Sequence, residues 1–378
     1  MTALFACRAC RSERVELVLN LGSVPGSDTF PDMHDLGPDP RWPLELYMCP
    51  ECALVQLGPL GPLAIDEQGA VESATGRAHA KRSVETIVRE EGLKAQDAVI
   101  EIDSGHGGSW LPGFVAAGLV PRGPDSTADL VVDLHGLMHE QDLDAAVAAH
   151  AARIAPGGRL VCEFYYLGAL IEGSLIDTIR HGHFSYLSLV AADRLFARHG
   201  LVVCRAERVP MFGGSLRVTA RHQAEGVAVD DDVTELIRIE LAANLDDKTA
   251  LAPLGDRGQA AALALRELLV SATERGVAIA GYGAPSKAAV LLALAGVDAK
   301  LLPYTVDLAP AKHGRRIPGA FVPIWPVKAL IEDGPDEVVV LTWDIADEVI
   351  RQLRGMASGT NWKPRFWVPL PVPGYVSP

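Results

Sequence analysis

The chain lacks any long apolar run. No segment approaches the roughly twenty consecutive apolar residues that span a bilayer, and Met1-Thr2-Ala3-Leu4-Phe5-Ala6-Cys7 has no basic start followed by an apolar stretch. A soluble, cytoplasmic protein with no membrane partner is therefore expected. A surplus of positive charge is missing too: 48 acidic residues stand against 34 basic ones, which disfavours a phosphate-backbone binder and excludes nucleic acid as an expected partner. Cysteine is scarce, six in 378 residues, and no thioredoxin-like pattern surrounds any of them. What is present is apolar material, 49 % of the residues, enough to fill more than one core. A chain of this length is expected to divide into two or three domains.

Four of the six cysteines stand as Cys7-x-x-Cys10 and Cys49-x-x-Cys52. Two such pairs, far apart in sequence, bring four thiolates tetrahedrally around one zinc ion. Disulfides or redox thiols are the competing reading, which a cytosolic compartment disfavours. Four thiolates leave no open coordination position, so the zinc is expected to be structural. Cys162 lies in an apolar strand and reads as core.

The rest reads as α/β. Ala98-Val99-Ile100-Glu101-Ile102-Asp103 has the apolar run of a buried strand, followed by Ser104-Gly105-His106-Gly107-Gly108 opening a helix. A glycine-rich turn there lets backbone approach a ligand closely and offers helix N-terminal amides. Ala128 to Leu134 and Arg159 to Phe164 are further strands, and residues 229–276 have helical periodicity. Gly281-Tyr282-Gly283 ends another buried strand, and Asp307 closes the next one about twenty residues on, the nucleotide-binding spacing. The expected fold class is α/β, and a family resemblance carried by the motifs that follow implies its division into a small N-terminal zinc-binding domain (1–63) and two Rossmann-like α/β domains (64–222 and 223–378, the latter opening with a helical linker). Lys287 at a helix start, with Lys312, Arg315 and Arg316 in a loop, can meet phosphate or simply be solvated. His135 and His139 have the i,i+4 spacing of a helical metal pair, but with no third ligand packed or solvated histidines are favoured.

Near the middle, Ile176-Asp177-Thr178-Ile179-Arg180-His181-Gly182-His183-Phe184-Ser185-Tyr186-Leu187-Ser188-Leu189 packs two histidines, a tyrosine and two serines between apolar anchors. His181 and His183 titrate near neutral pH and are one residue apart, so in an extended segment both can face one cavity as acid and base. The stretch resembles the central signature of the sugar 3-C-methyltransferase family of deoxysugar biosynthesis, F-D-T-I-Y-H-E-H-x-S-Y-x-S-L. Arg180 and Gly182 replace the family tyrosine and glutamate; both histidines, Ser185, Tyr186 and Ser188 remain. The resemblance extends along nearly the whole chain, from the two cysteine pairs through Gly213-Gly214-Ser215 to Lys312-His313-Gly314-Arg315 and Leu341-Thr342-Trp343-Asp344.

The resemblance implies S-adenosylmethionine as cofactor, at the loop containing Asp103, Gly105 and Gly107, with Asp125 as the sole stand-in for the acid that holds its ribose. It also implies a small-molecule substrate held by Ser185, Gly213, Gly214, Ser215, Lys287, Asp307, Lys312 and Arg315. Several departures argue against methyl transfer. Asp103 replaces a glycine of the cofactor loop, a helix and a strand of the adenosine region are absent between Val120 and Ala128, the segment 65–77 has no tyrosine, and Phe212 replaces a histidine. The leading expectation is an S-adenosylmethionine-independent enzyme of bacterial natural-product or deoxysugar biosynthesis, using His181, His183 and Tyr186 for elimination, isomerisation or cyclisation of a sugar nucleotide or polyketide-type intermediate. The alternatives are a working S-adenosylmethionine-dependent C-methyltransferase acting on a nucleotide-linked keto-sugar, and a non-catalytic binding protein.

Overall fold

The structure, a computed structural model, describes residues 5–60, 71–102, 108–223 and 227–376. Asp103, Gly105 and Gly107 of the expected cofactor loop, and residues 65–70 of the segment without tyrosine, lie outside the described residues. The architecture is α/β as expected: a cysteine-bearing N-terminal region, then two Rossmann-like sheets flanked by helices.

The N-terminal region folds around β1 (Glu16–Pro25), β2 (Arg41–Met48) and β3 (Val55–Leu57), an antiparallel meander. Its fourth strand arrives from far along the chain, where Tyr186 pairs with Val55 and Ser185 with Gln56. The signature stretch is thus part of the cysteine-bearing sheet.

The middle sheet follows α1 (Ala74–Glu90), whose first turn is capped by Ser73 Oγ accepting from Gly76 N at 2.9 Å. It contains β4 (Ala98–Ile102), then α2 (Leu111–Ala116), β5 (Val120–Pro121), β6 (Ala128–Leu134), α3 (Leu143–Ala152), β7 (Ile154–Tyr165) and α4 (Leu167–Glu172). After the signature strand β8 (Ser185–Tyr186) and α5 (Leu189–Ala197), β9 (Leu201–Val209) and β10 (Ser215–His222) close it. The strand order is β5-β4-β6-β7-β10-β9, with β5, β4, β6 and β7 parallel, β10 antiparallel to both its neighbours and β9 running again in the direction of β7. On the β5 side the sheet is cut short. Only Val120 and Pro121 pair, with Ala98 and Val99 at the start of β4, and the chain then turns straight into β6.

Helices α6 (Asp231–Ala242) and α7 (Ala252–Arg275) fill the expected helical region, the second ending at Gly276 in the left-handed conformation (φ 66°). The last sheet is built from β11 (Ile279–Tyr282), α8 (Ser286–Ala295), β12 (Thr305–Asp307), β13 (Ile324–Pro326), α9 (Lys328–Asp333), β14 (Glu337–Val340), α10 (Ala346–Met356), β15 (Arg365–Val368) and β16 (Gly374–Tyr375). Its order is β13-β12-β11-β14-β15-β16, parallel except for the last strand. No helix among the described residues is long and apolar enough to cross a membrane.

Candidate functional site

The four-cysteine cluster forms as the spacing predicts. The sulfurs of Cys7, Cys10, Cys49 and Cys52 all lie within 4.8 Å of one another, with Cys7 to Cys52 and Cys10 to Cys49 each 3.5 Å. These distances rule out disulfides, whose bond is about 2 Å, and approach the roughly 3.8 Å sulfur separation of a tetrahedral site with zinc–sulfur bonds of about 2.3 Å. Each pair sits on a tight turn: Arg11 N donates to Cys7 O and Ala53 N to Cys49 O, with Arg11 and Ala53 in the left-handed region. The donor set fits zinc, closed and structural.

The signature stretch is not extended. It turns at Gly182 (φ 91°), and the two histidines part company there. His181 is fully buried toward the N-terminal region: its Nε2 donates to Pro43 O at 3.2 Å and its ring lies 6.2 Å from that of Trp42. His183 faces the middle sheet, with ring centroids 5.1 Å from His139, 5.4 Å from Tyr165 and 6.4 Å from Tyr186. The expectation that one wall carries both rings is corrected by that turn.

Around His183 three parts of the chain converge. From the middle sheet come Tyr165 at the end of β7, His135 just past β6, His139, and Phe212 in the turn before β10. The rings of Tyr165 and Phe212 are 5.6 Å apart. From the N-terminal region comes Asp28, whose carboxylate takes two hydrogen bonds, 2.8 and 2.7 Å, from Arg180 Nη1. From the last sheet come Trp343, Asp344 and Lys287. Trp343 Nε1 donates to Asp177 Oδ2 at 2.8 Å, and Lys287 Nζ pairs with Asp344 at 2.5 Å while lying 4.2 Å above the Trp343 ring. This convergence lies at the carboxyl end of β6 and β7, where open α/β sheets place their ligand crevice.

The electrostatics follow from burial. Asp177 is fully buried, which pushes its carboxyl up to about 6 despite the nearby Lys287 charge. Burial, then the Asp344 carboxylate, push the Tyr165 phenol up, and burial pushes up that of Tyr186, whose oxygen accepts from Arg180 N. A carbonyl can only accept. Hence His183, bonded through Nδ1 to Thr178 O at 3.0 Å, carries a proton on Nδ1, and in the neutral ring the lone pair is on Nε2. His139, bonded through Nδ1 to Gly182 O at 2.9 Å, has the same tautomer.

Burial, then the Arg180 charge, lower His139 to about 4, and burial lowers His181. Burial thus favours the neutral form of both in the fold, and His139 stays neutral down to about pH 4, whereas unfolded histidine titrates near 6.5. Between pH about 6.5 and 4 the unfolded chain binds more protons, so stability is full above that window and is lost as pH falls through it. Thermal midpoints measured across this range should fall less steeply for His139→Asn than for the parent, by about 1.4 kcal/mol per pH unit at most. Equal slopes would mean that His139 titrates normally.

Other expected site residues have internal work. Gly213 (φ 84°) and Gly214 (φ 129°) make room for packing: a Cβ on Gly213 would lie 2.6 Å from Trp343 Cη2, and one on Gly214 2.5 Å from Ala169 Cβ. Ser215 Oγ donates to Met211 O at 3.1 Å. Ser185 is buried in β8, and its Oγ has no hydrogen-bond partner among the described residues. Asp307 accepts from Ala284 N and Ala309 N. Lys312 is buried, donating to Ala284 O at 2.8 Å and lying 4.8 Å above Phe30, while Arg315 Nη1 donates to Phe30 O at 2.8 Å and Arg316 pairs with Asp39. Solvation is thus the wrong account of Lys312 and Arg316; they tie the last sheet to the N-terminal region. A separate cavity of about 310 Å³, bounded by Tyr166, Ile239, Glu240 and Asn244, holds none of the histidines.

Asp125 is the clearest correction. It follows β5, which pairs only with the first residues of β4, and next to it Pro124 O accepts from Arg153 Nε at 2.7 Å, at the start of β7. Asp125 therefore sits at the amino ends of the strands, whereas the cofactor loop follows Ile102 at the carboxyl end. Glu101, at the carboxyl end of β4, is engaged in capping α2, accepting from Trp110 N at 2.6 Å and from Ser109 Oγ. Asp125 is therefore not placed to hold the ribose of S-adenosylmethionine, and the loop expected to meet the rest of that cofactor lies outside the described residues. Reading the sequence assigned no site role to Tyr165, Asp28, Trp343 or Asp344 and missed the contact of His139 with His183; Tyr165 carried a signal in its place at the end of a predicted strand, and Trp343 and Asp344 in the motif Leu341-Thr342-Trp343-Asp344.

Comparison with known proteins gives the chain its relatives. Residues 210–371 match the family described as C-methyltransferase C-terminal domain, and residues 7–62 a zinc binding domain. The chain is 28 % identical to the C-methyltransferase NovU of Streptomyces niveus, covering 98 % of this chain and 96 % of that protein. That alignment runs over 415 positions against 378 residues here, so at least 37 positions of the relative face a gap. Among solved structures, magnesium protoporphyrin IX methyltransferase of Synechocystis PCC 6803 is 13 % identical, with 41 % of this chain and 90 % of that chain covered and a TM-score of 0.30. YcgJ of Bacillus is 11 % identical, with 38 % and 99 % covered and a TM-score of 0.30. Neither likeness carries an argument about chemistry. The chain thus carries a match to a zinc-binding domain at one end and to a C-methyltransferase C-terminal domain at the other, and is similar nearly end to end to a C-methyltransferase.

Proposed function

We propose that this chain is a small-molecule enzyme that moves a proton at the three-way junction, with Nε2 of His183 as the base, and that it works without an adenosyl cofactor in the crevice of the middle sheet. One observation carries the second half of this reading: β5 stops after two residues at the amino end of the sheet, with Asp125 beside it. The first half is supported by a buried imidazole whose tautomer is fixed by Thr178 O, set among Tyr165, His139 and the Arg180–Asp28 pair. A neutral imidazole in such a place can take a proton from a carbon next to a carbonyl, and the neighbouring guanidinium favours the enolate that results. Return of the proton to another position completes an isomerisation; loss of a leaving group completes an elimination. Suitable substrates are keto-sugars linked to a nucleotide and polyketide-type carbonyl compounds.

A second reading, methyl transfer from S-adenosylmethionine to carbon, is favoured by the near end-to-end likeness to a C-methyltransferase. It begins with the same deprotonation and differs in what the carbanion then meets. Calorimetric titration of the zinc-loaded protein with S-adenosylmethionine and S-adenosylhomocysteine decides between them. No binding in the micromolar range is expected. Micromolar binding would overturn the cofactor-independent reading and restore methyl transfer. A parallel titration with thymidine diphosphate reports whether the substrate still carries a nucleotide.

A further inference from the structure

His135 sits just past β6 with its backbone in the left-handed region (φ 61°) and its side chain buried. Histidine is among the residue types that enter this region most readily, yet the conformation remains uncommon outside glycine. Strained backbone of this kind persists where the surroundings over-determine it, and it gathers at functional sites. One edge of the ring faces Glu163, with Nε2 3.5 Å from Oε1. The ring also meets the junction: its centroid is 5.0 Å from Phe212 and 5.2 Å from Tyr165. Tyr165 is the ring on which His183 rests from the other direction.

Glu163 is buried, and its oxygens have partners on α1 and β10. Oε1 accepts from His79 Nε2 at 2.7 Å, and Oε2 from Arg217 Nε and Nη2 at 3.1 and 2.8 Å. Burial pushes its carboxyl up, but the hydrogen bonds from His135 and His79 and the Arg217 charge outweigh burial and keep it ionised. An ionised carboxylate only accepts. An imidazole facing it keeps its proton on Nε2 and presents Nδ1 as the basic nitrogen, in the way that carboxylates orient histidines elsewhere.

We propose that His135 is a second acid/base group of the junction, with Glu163 as the residue that positions it. The inference rests on reading the junction as a proton-transfer site. In one turnover His183 Nε2 takes a proton from a substrate carbon as that C–H bond breaks, and a His135 imidazolium gives its Nδ1 proton to a second atom of the enolate. The charge passes from one ring to the other, and the rings exchange a proton with water to reset. The charged and titratable groups around His135 are Glu163, with His79 and Arg217 behind it, His139, and Tyr165 with His183 beyond.

The test is nitrogen NMR of the imidazoles in the full, zinc-loaded chain, titrated with pH, with His135→Asn to assign the resonance; asparagine tolerates the left-handed backbone. The neutral His135 is expected to carry its proton on Nε2, and Glu163→Gln is expected to mix the two tautomers, since the acceptor that fixes the proton on Nε2 is lost. A folded Glu163→Gln with the parent tautomer unchanged would overturn the proposal. So would a neutral parent ring protonated on Nδ1, a result that needs no variant at 163 and so survives misfolding of that variant. No substrate is involved, so failure here is separate from failure of the proposed reaction, which the adenosyl titration addresses.

Discussion

Stripping the four-cysteine cluster of zinc, by chelation or by Cys49→Ser, is expected to unfold the N-terminal region and to disorder the His183 segment with it. Structural zinc in small domains contributes apparent binding free energies of about 10–16 kcal/mol, which are also folding free energies. The region has little else to stand on. Its own three strands form a small meander, and the buried side chains of Cys7, Cys49 and Cys52 belong to the hydrophobic cluster that also holds Phe184, Tyr186, Leu187 and Leu189 of the signature stretch. The coupling to the site is direct: β8 pairs with β3, Leu57 N donates to Phe184 O, and His181 Nε2 donates to Pro43 O. Metal analysis should give one zinc per chain in the parent and none in Cys49→Ser, with a thermal midpoint lower by tens of degrees or no cooperative transition for this region. A zinc-free chain that melts with the parent and keeps the parent imidazole spectrum would show that the cluster is ornamental.

The features legible in the sequence were those whose meaning is local. Two Cys-x-x-Cys pairs specify a tetrahedral site through their spacing alone, and the Gly281-Tyr282-Gly283 strand end specifies a turn because only small residues fit there. Gly283 has φ 92°, and a Cβ on it would lie 2.6 Å from the Thr342 side chain. The shortened middle sheet was legible for the same reason, since too few residues separate Val120 from Ala128 to hold another helix and strand. What stayed hidden depended on which distant segments meet. Arg180 looks like a lost tyrosine until Asp28, 152 positions away, is found holding it. Phe212 looks like a lost histidine, yet the ring against it belongs to His135. Asp125 looked usable as a ribose acid because sequence distance does not record which end of a sheet a turn occupies. Lys312 and Arg316 read as cations for phosphate or for solvent because nothing near them in sequence announces Phe30 or Asp39.

Replacing His183 by asparagine is expected to lower turnover by about a hundredfold to ten-thousandfold, the usual contribution of a positioned acid/base group, with the fold intact. Asparagine can keep the bond to Thr178 O, so the turn survives while the basic nitrogen is lost. The suitable readout is incorporation of solvent deuterium into candidate carbonyl substrates, because exchange reports carbon deprotonation whether or not a methyl group follows. His181→Asn is the control. Its ring lies against Trp42 and its Nε2 is committed to Pro43 O, so that change should cost stability, about 1–3 kcal/mol for a disturbed buried hydrogen bond, and leave exchange per folded molecule nearly unchanged. The two variants separate readings that the sequence alone could not, since it offered the histidines as an equivalent pair. If both abolish exchange, the turn at Gly182 must open in the working state; if neither does, proton transfer at this junction is wrong and a binding role gains ground. Only the asymmetric result fits a site in which one histidine faces the substrate and the other holds the zinc-bearing sheet in place.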